Sequence, residues 1–211
     1  MLSYWVCEEG IFESIMSEST QGKTVDGRRL RSERSRKAIV DAALALIEEG
    51  ILVPTAQLVA ERAGVGIRSF FRHFEDMESL TKAMDEQIRD GYEKLFLGGE
   101  REGAVEQRLE HAVERYATAY EQVSNIILAT AAQRWRYEML RKNYARNLRG
   151  LRKDLDNWLP ELKSLPVEKR EAVDAVASFE MWHRLREHQG LSKKAGIAIV
   201  TGLLKSLVLD D

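Results

Sequence analysis

The stretch from Thr55 to Phe74 constrains the fold more than any other part of this 211-residue chain. Thr55 is suited to cap a helix, because its side-chain oxygen can accept from an otherwise unpaired N–H of the first turn. Gly64 follows where that helix has to end, since glycine enters the left-handed conformation without a Cβ penalty. Residues spaced to share the buried face of this first helix are Leu58, Val59 and Ala63. The stretch predicts a short helix, a tight turn and a second short helix.

The second short helix, Gly66 to His73, mixes cations and small polar groups with apolar residues. Its apolar members and the residue after it are Ile67, Phe70, Phe71 and Phe74. Such a helix suits the major groove of DNA, where an arginine can bind guanine through two hydrogen bonds. The candidates for base contact are Arg68, Ser69 and Arg72. The alternative is a solvated helix face, and Arg72 suits a phosphate equally well.

The block from Arg36 to Leu80 resembles the DNA-binding domain of the TetR family of bacterial transcriptional regulators. The residues that carry this resemblance are Ile39, Ala42, Ala43, Gly50, Thr55, Val59, Ala60, Ala63, Gly64, Val65, Ser69, Phe71, His73, Phe74, Glu78 and Leu80. The resemblance implies phosphate contacts from Ser69 and His73, and an effector pocket in the second half of the chain. Two positions depart from the family pattern, which usually has Tyr at Phe71 and Lys at Met77.

Cations cluster before and within the first predicted helix, against only Asp26 and Glu33. They are Lys23, Arg28, Arg29, Arg31, Arg34, Arg36 and Lys37. Alone, this cluster would indicate a solvated charge run. Beside a helix-turn-helix it predicts an arm that follows the phosphate backbone or enters the minor groove. The full set of predicted DNA contacts is Arg29, Arg31, Thr55, Gly66, Ile67, Arg68, Ser69, Phe71, Arg72 and His73.

Residues 1–27 are predicted to form a flexible N-terminal extension. Three alternatives remain open for this part: a disordered tail, an over-extended start with initiation at Met16, or an aromatic face that docks on the protein. The stretch does not have the pattern of a secretory signal, and no run reaches the roughly 18 apolar residues of a membrane span. With Cys7 as the only cysteine, no intrachain disulfide is possible. A cytoplasmic location is expected.

The rest of the chain shows helical periodicity throughout, so we expect an all-α protein of about nine helices. The domains are predicted as a three-helix DNA-binding bundle over 28–76, a linking helix over 77–97, and a ligand-binding and dimerisation bundle over 98–211. The first helix is expected from about Ser32 to Glu49. Further helices are expected from about Arg101, over Ile126–Ala132, over Trp135–Trp158, near 167–188, and over 192–209.

Aromatic and sulfur-containing side chains of the second half are expected to face inward: Tyr116, Tyr120, Trp135, Met139, Phe179 and Trp182. Each one alone fits an ordinary core. Together they can wall an apolar pocket between helices, which is where helical bundles hold ligands. The last helix is apolar nearly all round and therefore has to be buried. We expect the last two helices, 167–188 and 192–209, to pair with their mates in a homodimer.

No catalytic constellation is recognisable, so no enzyme activity and no cofactor are expected. The four histidines, His73, His111, His183 and His188, do not combine with carboxylates at metal-binding spacing. The sequence therefore predicts a ligand-responsive regulator, most simply a repressor, that binds a near-palindromic double-stranded operator as a homodimer and is released by a small, largely apolar effector. The alternative is a small-molecule-binding or enzymatic helical bundle with a vestigial DNA-binding module. Activation instead of repression is also left open.

Overall fold

The computed structural model describes residues 27–96 and 98–209 of the chain. The regular elements of these residues are all helical, which confirms the predicted all-α class. The described residues form nine α-helices, which are α1 Gly27–Glu48, α2 Ala56–Arg62, α3 Ile67–His73, α4 Met77–Phe96, α5 Val105–Gln133, α6 Glu138–Trp158, α7 Val167–Val176, α8 Phe179–His183 and α9 Lys193–Leu209. A 3₁₀ turn spans Pro160–Ser164, and a π-helical turn, Arg184–His188, continues α8. The predicted extension over residues 1–27 lies almost entirely outside the described residues.

The described chain divides into two compact units. The first unit comprises residues 27–45 and 55–91, and the second comprises 46–54 and the described residues from 92 onward. The last turn of α1 and the last residues of α4 therefore belong to the second unit. None of the described helices is both long enough and apolar enough to cross a membrane.

The core of the first unit is formed where α1 to α4 bring their apolar faces together. Its fully buried side chains include Ile39, Val40, Leu44, Val59, Phe70, Phe74 and Leu80. The guanidinium of Arg36 lies 4.9 Å from the centre of the Phe74 ring, so a cation covers one edge of this core. α4 begins at a reciprocal cap, in which Asp76 Oδ1 accepts from the backbone N–H of Ser79 at 2.8 Å.

The core of the second unit runs along α5, against which α6 and α9 pack. Its largest fully buried side chains are Trp158, Leu109, Leu159, Leu162 and Leu204. Gly98 and Gly99, which follow α4, have φ values of +89° and +95°, as expected for glycines that end a helix. A Cβ at Gly99 would lie 2.5 Å from the Trp158 ring, so this glycine also permits close packing.

Several predicted helix bounds are wrong. α1 begins at Gly27, five residues before the predicted start, so the members of the basic cluster from Arg28 to Lys37 lie on this helix. α5 continues through Gln133, and no separate helix forms over 126–132. The helix predicted over 167–188 is broken after Ala177, because the side chain of Ser178 accepts from Met181 N at 3.2 Å and caps a new helix.

Candidate functional site

Thr55 caps α2 as the sequence predicts. Its Oγ1 accepts from the backbone N–H of Leu58 at 3.2 Å, while its own backbone is extended. Because Oγ1 acts as the acceptor in this bond, the hydroxyl hydrogen stays available to donate outward. Thr55 is exposed, so a phosphate beside the start of α2 can receive that hydrogen.

The turn between α2 and α3 depends on Gly64, whose φ of +66° lies in the left-handed region. The backbone N–H of Val65 donates to Ala60 O at 3.0 Å and closes the turn. Gly66 precedes α3 in an extended conformation, and its carbonyl accepts from the N–H of Ser69 at 2.8 Å. The turn thus fixes the direction in which α3 leaves α2.

α3 buries one side and exposes the other. Phe70 is fully buried, while Arg68, Phe71 and Arg72 are exposed. Ile67, Ser69 and His73 are half-buried between the two sides. Phe71 is 53% exposed and meets Phe70 edge to face, with ring centres 5.2 Å apart. Its ring is therefore available to a sugar or a thymine methyl group, although it lacks the hydroxyl of a tyrosine.

Two arginines lie on the exposed side of α3, one turn apart. Arg72 Nη2 donates to Ser69 Oγ at 2.9 Å, which orients both side chains. Arg68 forms no hydrogen bond or ion pair with any residue in the described part of the chain. Its five N–H donors are therefore free for an external acceptor, and a planar guanidinium matches the two acceptors of guanine.

The pKa of His73, at the end of α3, lies below its ordinary value. Partial burial is the main cause that lowers its pKa, followed by the positive charges of Arg72 and Arg36. Its Nε2 is buried and has no hydrogen-bond partner. A phosphate placed beside this group of cations would offset their repulsion and raise the pKa of His73 again.

Arg29 and Arg31 are exposed in the first turns of α1. Arg29 Nε pairs with Glu33 Oε1 at 3.0 Å, and Arg31 Nε donates to the carbonyl of Gly27 at 3.1 Å. Both contacts join residues four apart on one helix, so the local helix accounts for the positions of both side chains. As contacts to DNA these two residues remain a prediction.

A small apolar cavity lies in the second unit between α5, α6, α9 and the break after α7. Three of the predicted ligand contacts line it: Tyr116, Tyr120 and Trp182. The space open to the centre of a water-sized sphere is about 20 Å³, little more than the roughly 10–15 Å³ that one water requires. Pockets for drug-sized ligands enclose roughly 300–1,000 Å³, so a ligand of that size requires the cavity to expand.

The polar tips of these three residues are all bonded within the protein. Tyr116 Oη donates to Asp154 Oδ2 at 3.0 Å, and Tyr120 Oη donates to the Ala177 carbonyl at 2.9 Å. Trp182 Nε1 donates to Glu121 Oε1 at 3.1 Å. The space itself is therefore bounded by apolar surface, which includes Leu109, Val113, Val200 and Leu204. Helical periodicity in the sequence indicated these four residues only as ordinary core.

The other three predicted ligand contacts lie elsewhere. The expectation that Trp135 faces inward is wrong: it is 75% exposed, in the turn after α5, where its Nε1 donates to Ala132 O at 2.9 Å. Met139 is half-buried at the start of α6, and Asn143 Nδ2 lies 3.0 Å from its sulfur. Phe179 is buried against Tyr120 but does not line the cavity.

Within 27–96 and 98–209, no three His, Cys, Asp or Glu side chains are grouped as metal ligands.

Comparison with known proteins gives a family and a fold. Residues 39–84 match the family described as bacterial regulatory proteins, tetR family. A transcriptional regulator from Rhodococcus sp. Rha1 is similar in structure, with a TM-score of 0.60 and 17% identity over 83% of this chain and 96% of that one. A protein from Streptomyces coelicolor A3(2) assigned as a transcriptional regulator gives a TM-score of 0.54 and 20% identity over 83% and 99%.

At these identities the two structures bear on the fold alone, and no curated protein sequence matches significantly. The family match coincides with the unit in which the capped α2, the Gly64 turn and the exposed face of α3 occur. The chain therefore has a TetR-type N-terminal DNA-binding domain, matched over residues 39–84.

Proposed function

We propose that the protein is a ligand-responsive transcriptional repressor that binds a near-palindromic DNA operator as a homodimer. The observation that carries this proposal is the exposed side of α3, where Arg68 has no partner within the described protein and Arg72 is oriented by Ser69. Phe70 and Phe74 hold the opposite side of this segment in the core. A short helix held in this way can enter a major groove without rearranging.

Dimerisation is supported by apolar surface left exposed on α9. This helix buries Gly196, Val200 and Leu204 within the second unit, whereas Ile199 and Leu203 are 37% and 40% exposed. Pairing of α9 and the segment 167–188 with their two-fold mates would remove that surface from water. The pair would present two α3 helices to half-sites about one helical turn, roughly 34–36 Å, or a multiple of it apart.

Release by an effector is supported by the contacts at the end of α4. The ring of Phe96, in the last turn of α4, lies 5.9 Å from that of Tyr116 and 5.7 Å from that of Tyr120. Both tyrosines line the cavity. A ligand that enlarges the cavity has to displace these rings, and a displaced Phe96 moves the helix that begins beside the helix-turn-helix. The effector shifts the equilibrium only if it binds the two states unequally.

DNA selectivity tests the proposal most simply. The full chain is titrated with the DNA upstream of its own coding sequence and with a random duplex of equal length, over a series of salt concentrations. We expect tighter binding to the upstream DNA, with log K falling by roughly 0.9 per phosphate neutralised for each unit of log salt. Equal affinity for both duplexes at every salt concentration would contradict operator binding and favour the alternative of a bundle with a vestigial DNA module.

Effector release needs its own measurement, because DNA binding can stand without it. Small apolar compounds are screened for a rise in melting temperature, and each hit is added to the complex with upstream DNA. We expect a true effector to lower DNA affinity, and Tyr116→Ala or Trp182→Ala to change the response to it. If every compound that binds leaves the DNA affinity unchanged, the proposed coupling between the cavity and DNA binding through α4 would be wrong.

A further inference from the structure

The outer face of α6 carries a straight row of cations: Lys142, Arg146, Arg149 and Lys153. Successive members are four, three and four residues apart, so all four fall within a narrow strip along the helix. All four side chains are exposed. At 1.5 Å per residue the row extends over about 16 Å. We refer to these four residues as the basic ridge.

The charge around the basic ridge is strongly segregated. From Arg134 to Lys153 the chain has eight Arg or Lys residues against one acid, Glu138, although its overall formal charge is -2. The exposed positions of α5 carry acids instead, among them Glu106, Glu110 and Glu114. A surface of ordinary solubility mixes both signs, whereas a row of one sign produces a local potential that attracts a polyanion.

Half of the basic ridge has no partner in the part of the chain that the structure describes. Arg149 and Lys153 form no hydrogen bond or ion pair with the described residues. Lys142 Nζ is 2.9 Å from Glu138 Oε1, but the two side chains are 75% and 66% exposed. An ion pair this exposed contributes little to stability, so a phosphate can replace Glu138 as the partner of Lys142 at little cost.

The neighbouring arginine on the inner flank behaves differently. Arg152 bonds to Glu171 at 2.9 Å and to Asp174, which ties α6 to α7. Packing between helices therefore accounts for Arg152 but not for the basic ridge. The four ridge cations point away from the bundle and have no comparable structural role.

We propose that the basic ridge binds the phosphate backbone of duplex DNA, as a sequence-independent contact separate from α3. One DNA strand carries a phosphate for about every 3.4 Å of helix axis, so a row of four cations about 16 Å long can span several phosphates. The proposal rests on the proposed function only in that DNA is the polyanion which the chain is expected to meet. Contacts of this kind add affinity and salt dependence without reading bases.

The composition of the strip favours DNA over a membrane or a protein partner. The residues on either side of the ridge cations are small: Ala145, which is half-buried, and Gly150, which is exposed. Leu148, which is 46% exposed, lies about a third of a turn away. A helix that lies on a membrane carries large apolar residues opposite its cations, and a protein interface has an apolar centre. A row of cations without such residues matches a phosphate backbone.

The test compares two double variants of the full chain that have the same charge. Arg149→Gln/Lys153→Gln removes half of the basic ridge, and Lys94→Gln/Lys163→Gln neutralises two exposed lysines elsewhere in the second unit. Binding to a random-sequence duplex is measured against salt concentration. For the ridge variant we expect the slope of log K against log salt to fall by about 1.8 per subunit, and affinity near 0.1 M salt to fall on the order of 10- to 60-fold. The control variant should bind like the wild type.

Two results would overturn the proposal. One is that both double variants bind DNA as the wild type does, or lose affinity equally. The other is that the ridge variant keeps its DNA affinity and instead loses binding to phosphatidylglycerol vesicles, which would assign the ridge to an anionic membrane. Circular dichroism of both variants establishes that the helices are intact.

Failure of this proposal can be told apart from failure of the proposed function. The basic ridge predicts that Arg68→Ala, which removes the α3 contact, keeps its salt-dependent affinity for random DNA. It also predicts that the ridge variant keeps the ratio of affinities for upstream and random DNA. If the wild type shows no such ratio but the ridge variant still weakens binding, operator recognition fails and the ridge contact stands.

Discussion

The exposed side of α3 in the first unit and the core of the second unit use their polar side chains in opposite ways. In the first unit, the exposed side of α3 offers Arg68 without any partner in the described chain, and the hydroxyl hydrogen of Thr55 is available to donate. In the second unit, the polar groups at the centre are bonded to one another. Asp154 accepts from Arg101 at 2.6 Å, from Tyr116 at 3.0 Å and from Trp158 at 3.2 Å.

This difference indicates what each unit can do with an external molecule. A surface whose donors are free can bind a charged, hydrogen-bonding partner such as DNA without first breaking internal bonds. A core whose donors are already bonded accepts an apolar molecule most easily, because a polar one would have to displace existing hydrogen bonds. The contrast supports DNA recognition in the first unit and a largely apolar effector in the second.

The largest expected effect in the second unit concerns Gly99. Gly99→Ala places a Cβ 2.5 Å from the ring of Trp158, which is only 1% exposed and cannot move aside. This close contact and the unfavourable positive φ act together. We expect them to lower the free energy of unfolding by about 2–5 kcal/mol. Urea unfolding followed by tryptophan fluorescence reports it, since Trp135, Trp158 and Trp182 all lie in this unit.

Gly50→Ala is the matched control for that experiment. Gly50 has a similar φ of +90°, but an added Cβ there would have no other atom within 4 Å. We expect only the backbone strain, about 1–3 kcal/mol. If the two substitutions were equally destabilising, the close contact between Gly99 and Trp158 would not contribute to the stability of the second unit.

Alkaline pH should weaken the second unit through Tyr92. Burial, and then the charges of Tyr144 and Glu180, raise the pKa of Tyr92 to about 12. The unfolded chain loses this proton near pH 10 while the folded chain keeps it, so stability is complete below pH 10 and declines toward pH 12. When the pH rises from about 9.5 to 11.5, the free energy of unfolding should fall in both proteins. We expect the fall to be about 2 kcal/mol smaller for Tyr92→Phe than for the wild type. The measurement is urea unfolding at each pH. If the free energy of unfolding fell equally in both proteins, the pKa of Tyr92 would not be raised by folding.

Two helix caps, one in each unit, allow a smaller and more direct comparison. Thr55→Ala and Ser178→Ala each remove a side chain that accepts from a backbone N–H at 3.2 Å. We expect each to cost about 0.5–2 kcal/mol in thermal unfolding. Only Thr55→Ala should also weaken DNA binding, and Thr55→Ser should restore it. A similar loss of DNA affinity from Ser178→Ala would assign the effect to general destabilisation.

The helix-turn-helix could be predicted from the sequence because its signals are local. A capping threonine, a glycine nine residues later and apolar residues three to four apart act within one or two turns of helix. The cap at Thr55, the positive φ of Gly64 and the burial of Phe70 follow from these few positions. Their placement on DNA depends on a partner molecule and stays a prediction.

The second unit was harder to predict because its arrangement depends on contacts between distant residues. Periodicity indicated its helices, but not that Ser178 would restart a helix or that Trp135 would lie in an exposed turn. The cavity is bounded by residues from several helices, so no single stretch indicates it. The basic ridge was visible as a four, three, four spacing of cations, but its exposure required knowing which face of α6 packs inward.

The affinity of Arg68→Ala for upstream DNA tests the central claim most directly. The matched control is Arg136→Ala, which alters another exposed arginine outside the first unit and outside the proposed dimer segments. A two-hydrogen-bond contact to guanine is worth about 1–3 kcal/mol, so Arg68→Ala should lose roughly 5- to 150-fold of its preference for upstream over random DNA. Circular dichroism and dimer mass should not change, and Arg136→Ala should keep the full preference. An Arg68→Ala protein that retains the preference of the wild type would contradict recognition through the exposed side of α3.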